Sequence, residues 1–200
     1  MPFGAHETME VHEILNEKIN LINHFMLYAQ QCQNQRLRQM IDHQMQTAIQ
    51  SYNQLVAYTH DYAAANQGMS PAGGMHTQVQ PENIHYGLRN PAQQMPQQTA
   101  SLNDTQIVRA MLSCHKASAK LHLNGALECA DPNVREMLMN GAITCTRQAY
   151  DVFLMMNEQG LYQVPTINDQ TAKTFLHSYQ PMQQTMMPNM ASNTTPQHTM

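Results

Sequence analysis

An all-α fold, a four-helix bundle of two related hairpins joined by a long crossover, follows from three observations. Two blocks of the chain, from about Glu7 to Tyr62 and from about Asp104 to Asn157, are almost free of Gly and Pro. Each block carries apolar residues at helical spacing. Between them, from about Ala63 to Asn103, lies a stretch rich in Gly, Pro and Gln. A helix of about 26 residues is about 40 Å long, and that stretch is long enough to run the full length of such a bundle. A long connection between the second and third helices marks a ferritin-like topology rather than a simple up-down-up-down bundle.

Each block is expected to fold as a hairpin. The first helix places Val11, Ile14, Leu15, Lys18, Ile22, Phe25, Met26 and Ala29 on one stripe, and a break is expected near 32–35. The second helix follows with Leu37, Ile41, Ala48, Tyr52, Leu55 and Tyr58. The third begins at Asn103 or Asp104, either of which is a suitable cap. Asp131-Pro132 breaks the chain again, with Pro132 in the first turn of the fourth helix. The fourth stripe is Val134, Met137, Leu138, Cys145, Ala149, Val152 and Met156, closed by Gly160, with Pro165 preventing continuation. The bundle is thus expected over 7–165, as a hairpin over 7–62, a crossover over 63–103 and a hairpin over 104–165. A disordered Gln/Met/Pro-rich tail is expected over 166–200, with one short helix near 169–179.

The two hairpins look like copies offset by 97 residues. Val11 matches Val108, Leu15 matches Leu112, Ala29 matches Ala126, Cys32 matches Cys129, Arg38 matches Arg135, Met40 matches Met137 and Thr47 matches Thr144. The apolar stripes superpose as well, Leu37 on Val134, Ile41 on Leu138 and Leu55 on Val152.

Composition narrows the function. Charged residues are 12% of the chain, about half the usual share, and polarity comes instead from Gln and Asn. The balance of 10 Lys+Arg against 14 Asp+Glu argues against a nucleic-acid partner, which calls for a basic footprint. The sequence has no run of about 18 apolar residues to span a membrane. The opening residues have neither a basic nor an apolar signal region, so secretion by a signal peptide is not expected. Four Cys without a CxxC pair form neither a disulfide scaffold nor a zinc ribbon.

A ferritin-like di-metal site needs carboxylates on the inward stripes. Here Glu10, Glu13 and Glu17, with His24, are expected on the solvated face of the first helix. The inward positions offer Lys18 on the first helix, Gln44 and Ser51 on the second, His115 and His122 on the third, and Gly141 and Gln148 on the fourth. The only Glu-x-x-His, Glu82–His85, falls in the crossover. No carboxylate-rich metal site and no cofactor are expected. Lys18, Gln44, His115, His122 and Gln148 form a candidate polar core cluster, with Thr47 and Thr144 as further partners for the imidazoles. The same residues admit two sharper readings: a soft-metal site using His115, His122 and Cys129, and an anion pocket around Lys18, His115 and His122. Heptad spacing, about 10 Å per step, is too long for two ligands on one ion. Cys32 and Cys129, at equivalent hairpin ends, are candidates for a disulfide or redox pair, against the alternative of small buried hydrophobes. No catalytic residue is expected; GxSxG and Gly-rich phosphate loops are absent from the sequence.

The stretch from Val108 to Pro165 resembles the Coat F family of bacterial spore coat proteins. Asp131-Pro132-Asn133-Val134-Arg135 and the ending Met155-Met156-Asn157-Glu158-Gln159-Gly160-Leu161-Tyr162 carry the resemblance, and the opening from His6 to Leu15 looks like longer members. The resemblance implies a ferritin-like bundle and a role in the protein layers around the spore, with other coat proteins as partners and synthesis in the mother-cell cytoplasm. It supplies no catalytic residues. A homo-oligomer is compatible with it. On this reading Gln93-Gln94 and Gln183-Gln184 are candidate acyl donors for cross-linking. The alternative class is a metal-dependent ferritin-like oxidase or peroxide-consuming enzyme.

Overall fold

The computed structural model describes residues 4–60, 85–87 and 101–181. Five helices lie among them: α1 (Ala5–Gln31), α2 (Gln35–His60), α3 (Asp104–Glu128), α4 (Pro132–Glu158) and α5 (Asp169–Leu176). The chain divides into two units, Met1–Val164 and Pro165–Met200. The first holds the bundle. In the second, α5 starts at Asn168, whose side chain accepts from Gln170 N at 2.9 Å, and carries the ion pair Lys173–Asp169. Most of the expected crossover, the end of the tail, Glu82 and both Gln pairs lie outside the described residues.

Helix ends follow local chemistry. Asn34 caps α2 through Leu37 N at 3.0 Å. Asn103, not Asp104, caps α3, in a reciprocal box with Gln106. Asp131 caps α4 through Asn133 N and Val134 N, with Pro132 at the first helical position. At the other end of α4, Gly160 takes φ 72°. Its N–H bonds Asn157 O, and Leu161 N bonds Met156 O. This is a complete Schellman stop, which needs a left-handed residue at that point. Tyr162 then folds back, edge-on to Phe153 at 5.1 Å.

Topology can be read from the turns. α1 packs on α2 and on α3, and α4 packs on α3 and on α2. The start of α3 sits at the α1–α2 turn, where Asp104 accepts from Gln33 N at 2.9 Å and Asn34 N at 3.0 Å. α2 ends at the opposite end of the bundle, so the end of α2 and the start of α3 lie a bundle length apart. The order is up, down, down, up, the ferritin-like arrangement. One piece of this connection is described. Asn157, 3% exposed, donates to His85 O and Tyr162 O and accepts from His85 N at 2.9 Å. Gly87 N bonds Val164 O beside it.

The core is divided. Around the α1–α2 turn, Phe25, Ile41, Ile107, Met111, Met155 and Met156 form one apolar cluster. Toward the α3–α4 turn, Ile14, Leu55, Val134 and Leu138 belong to the other. Each fully buried side chain in these two ends contributes about 1.5–3 kcal/mol. Polar groups occupy the middle.

Candidate functional site

The polar middle layer is the only candidate the described interior offers, and its residues come from the inward stripes. Lys18, Gln44, His115 and His122 are all buried, while Gln148 is half-buried. They do not form one constellation. His115 Nε2 and Gln44 Oε1 are 2.9 Å apart, and the ring stands edge-on to Phe25 at 5.4 Å. The second group lines a cavity of about 30 Å³, to which all four bundle helices contribute. Its walls include Glu17, Lys18, Ser51, Ser118, His122 and Cys145.

Lys18 Nζ donates to Ser51 Oγ at 2.9 Å, and burial pushes its ammonium well below the usual lysine range. His122 Nδ1 lies 2.8 Å from Ser118 O. Burial lowers its pKa to about 4, helped by the Lys18 charge. Burial lowers His115 to about 4 as well. Both imidazoles are therefore neutral at pH 7. The Cys145 thiol is pushed up to about 11 by burial, which leaves it a protonated, unreactive group.

Several expectations change. Glu17 is not on a solvated face: it is half-buried between α1 and α3 and accepts from the Ser118 hydroxyl. Only Glu13 and His24 of that set are exposed; Glu10 is half-buried. The reason is geometric. α1 packs against two neighbours, so its buried arc is wider than one stripe. Thr47 and Thr144 bond the backbone carbonyls of His43 and Asn140 rather than the imidazoles. Cys129 does not share a site with the imidazoles; it is the C-cap of α3, within the apolar end cluster. Cys32 caps α1 at the other end of the bundle, about 40 Å away by helix length, so a disulfide between these two is excluded and both thiols are free.

Glu7 was absent from the expected core. It is 3% exposed and accepts from Asp131 N at 2.8 Å and from Gly4 N at 3.1 Å. The repeat could have revealed it, because Glu7 and Asp104 are 97 residues apart. Each carboxylate, near the start of one hairpin, binds the turn of the other. Asn34 and Asp131, the two turn residues so bound, are related by the same offset.

The ferritin-like topology raises the question of a di-metal centre. Among the described residues no three His, Cys, Asp or Glu side chains converge as a ligand group. At mid-height the bundle presents a lysine, a serine and a single half-buried carboxylate. A pair of iron or manganese ions needs several converging carboxylates, so a donor set of one half-buried carboxylate, a lysine and a serine does not fit it.

Comparison with known proteins agrees with the signature residues. Residues 103–165 match the Coat F domain. The resemblance to that family, carried by 131–135 and by 155–162, is thus borne out. Spore coat protein F-like protein YhcQ of Bacillus subtilis is 29% identical over 188 residues, covering 92% of this chain and 84% of that protein. A protein of Bacillus halodurans described as a spore coat protein shares the fold, with a TM-score of 0.62 at 15% identity, over 84% of this chain and 97% of its own. The Coat F ending now has a physical account. Its Asn is the clamp on the crossover, its Gly the left-handed stop of α4, and its Tyr the ring folded back on Phe153. Among the described residues, no helix is long and apolar enough to cross a membrane.

Proposed function

We propose that this protein is a structural component of the bacterial spore coat, acting as a helical packing module that associates with other coat proteins after synthesis in the mother cell. The observation that carries the reading is the Coat F match over 103–165, extended to most of the chain by the likeness to YhcQ. The interior is consistent with a non-catalytic role. Its imidazoles are neutral, its central thiol is protonated, and its mid-height position holds Lys18 in place of converging carboxylates. Asn103 and Asp131 cap helices, and the buried Asn157 clamps the connection, which is what a rigid building block requires.

Fluorescent-fusion localisation during sporulation tests the reading. A ring around the forespore is expected; uniform signal in vegetative cytoplasm would overturn it. Metal analysis of protein purified without chelators tests the packing role separately. Two tightly bound iron or manganese ions per chain would replace that role with a ferritin-like oxidase.

A further inference from the structure

The mid-height cavity has walls that call for a particular kind of occupant. His122 Nδ1 faces a backbone carbonyl, which can only accept, so Nδ1 carries the ring proton. Nε2 is then a bare acceptor. It is buried without a partner among the described residues, and the ring lies directly over Gly141, another wall of the cavity. Glu17 uses one oxygen on Ser118, while Oε2 is buried and has no hydrogen-bond partner among the described residues. Lys18, another wall residue of the cavity, uses one N–H on Ser51 and keeps further N–H groups. Two lone acceptors and a surplus donor therefore line one space of about 30 Å³. A water needs roughly 10–15 Å³ and two to four polar partners.

We propose that this cavity is a built binding site for one or two small neutral molecules that both donate and accept hydrogen bonds, with water as the resident ligand. The occupant donates to His122 Nε2 and Glu17 Oε2 and accepts from Lys18. An anion brings no protons for the two acceptors and adds negative charge beside Glu17. A metal ion or ammonium faces the fixed lysine. A dry cavity leaves two buried acceptors unsatisfied, which is costly for a folded interior. Because Ser51 holds Lys18 from α2 and Gly141 of α4 forms the floor under His122, the bound molecule joins the four helices at the height where metal-binding bundles of this topology place their ions. This inference does not depend on the coat assignment: it is read from density, whereas that assignment is read from localisation.

A high-resolution crystal structure of the full chain, with parallel soaks in bromide and manganese, decides the occupant. Ordered water within hydrogen-bond distance of Glu17 Oε2, His122 Nε2 and Lys18 Nζ is expected, with no anomalous peak in the cavity from either soak. An empty cavity, or bromide or manganese within it, overturns the proposal. A double-mutant cycle in solution gives a second test. Glu17→Gln and His122→Phe should each raise the unfolding equilibrium constant, and the double variant should fall short of their product, since both acceptors bind the same occupant. Strict multiplicativity overturns the shared network.

Discussion

The two hairpins agree at their ends and differ in their middles. At the ends, Glu7 and Asp104 occupy equivalent positions and perform the same task, each accepting from the turn of the opposite hairpin. Asn34 and Asp131 are equivalent helix caps, and Cys32 and Cys129 equivalent helix stops. At mid-height the offset of 97 residues pairs Lys18 with His115, Phe25 with His122, and Gln44 with Gly141. None of these pairs is alike. One half of the layer is an amide–imidazole pair against an aromatic ring; the other is a lysine, a carboxylate and an imidazole around a cavity. The ends are constrained because unsatisfied backbone N–H groups are costly wherever a helix starts. The middle is free to diverge, provided its polar groups find partners.

The largest effect expected of this middle layer is on stability against pH. Both imidazoles are held near a pKa of about 4 in the folded state, against about 6.5 when unfolded. The unfolded chain therefore binds protons that the folded chain refuses. Stability is complete above pH 6.5 and falls as pH drops toward 4, by about 3 kcal/mol for each ring. Chemical denaturation at pH 7 and pH 4.5 measures it. His122→Phe, which installs the residue of the other hairpin, should remove about half of the pH dependence; an unchanged profile would place the titration elsewhere.

Gly141 sharpens the contrast. A Cβ there would stand 2.3 Å from His122 Cδ2. Gly141→Ala should cost about 1–3 kcal/mol by overpacking, opposed by about 1 kcal/mol of helix propensity. A net loss in Tm is expected in the parent, and a gain once His122→Ala removes the ring.

Next is the clamp on the crossover, whose equivalent position in the first hairpin is His60. Asn157→Ala leaves the backbone groups of His85 and Tyr162 without the amide that binds them. A loss of about 1–3 kcal/mol is expected, with faster proteolysis of the connection as its local signature. The two end carboxylates should give smaller, similar losses, about 1 kcal/mol for Glu7→Gln and for Asp104→Asn. Very unequal values would break the symmetry of the ends. Last, Arg36→Ala removes an exposed ion pair with Glu158 and should change stability by at most about 0.5 kcal/mol.

The bundle was legible because its punctuation is local. Asn, Asp, Pro and Gly at the helix ends act through their own backbone neighbours, so sequence order suffices to place them. The inward positions of Lys18, Gln44, His115 and His122 were legible from helical angle alone. Glu17 was not, because its burial depends on which second helix lies against α1. Asn157 was visible as part of a family ending, but its partner His85 is 72 residues away. The separation of Cys32 from Cys129 also waits on topology. Equivalent positions in two repeats need not be near each other, and here the repeats run in opposite directions.

The reciprocal carboxylates have an evolutionary corollary. A lone hairpin of this kind leaves its turn N–H groups to water, and a twin molecule is one source of an acid to replace it. Two separate polypeptides and one fused chain can thus present the same closed clasp, so joining them end to end leaves that contact intact while making the halves inseparable. Once fused, each half can drift at its waist without losing its mate.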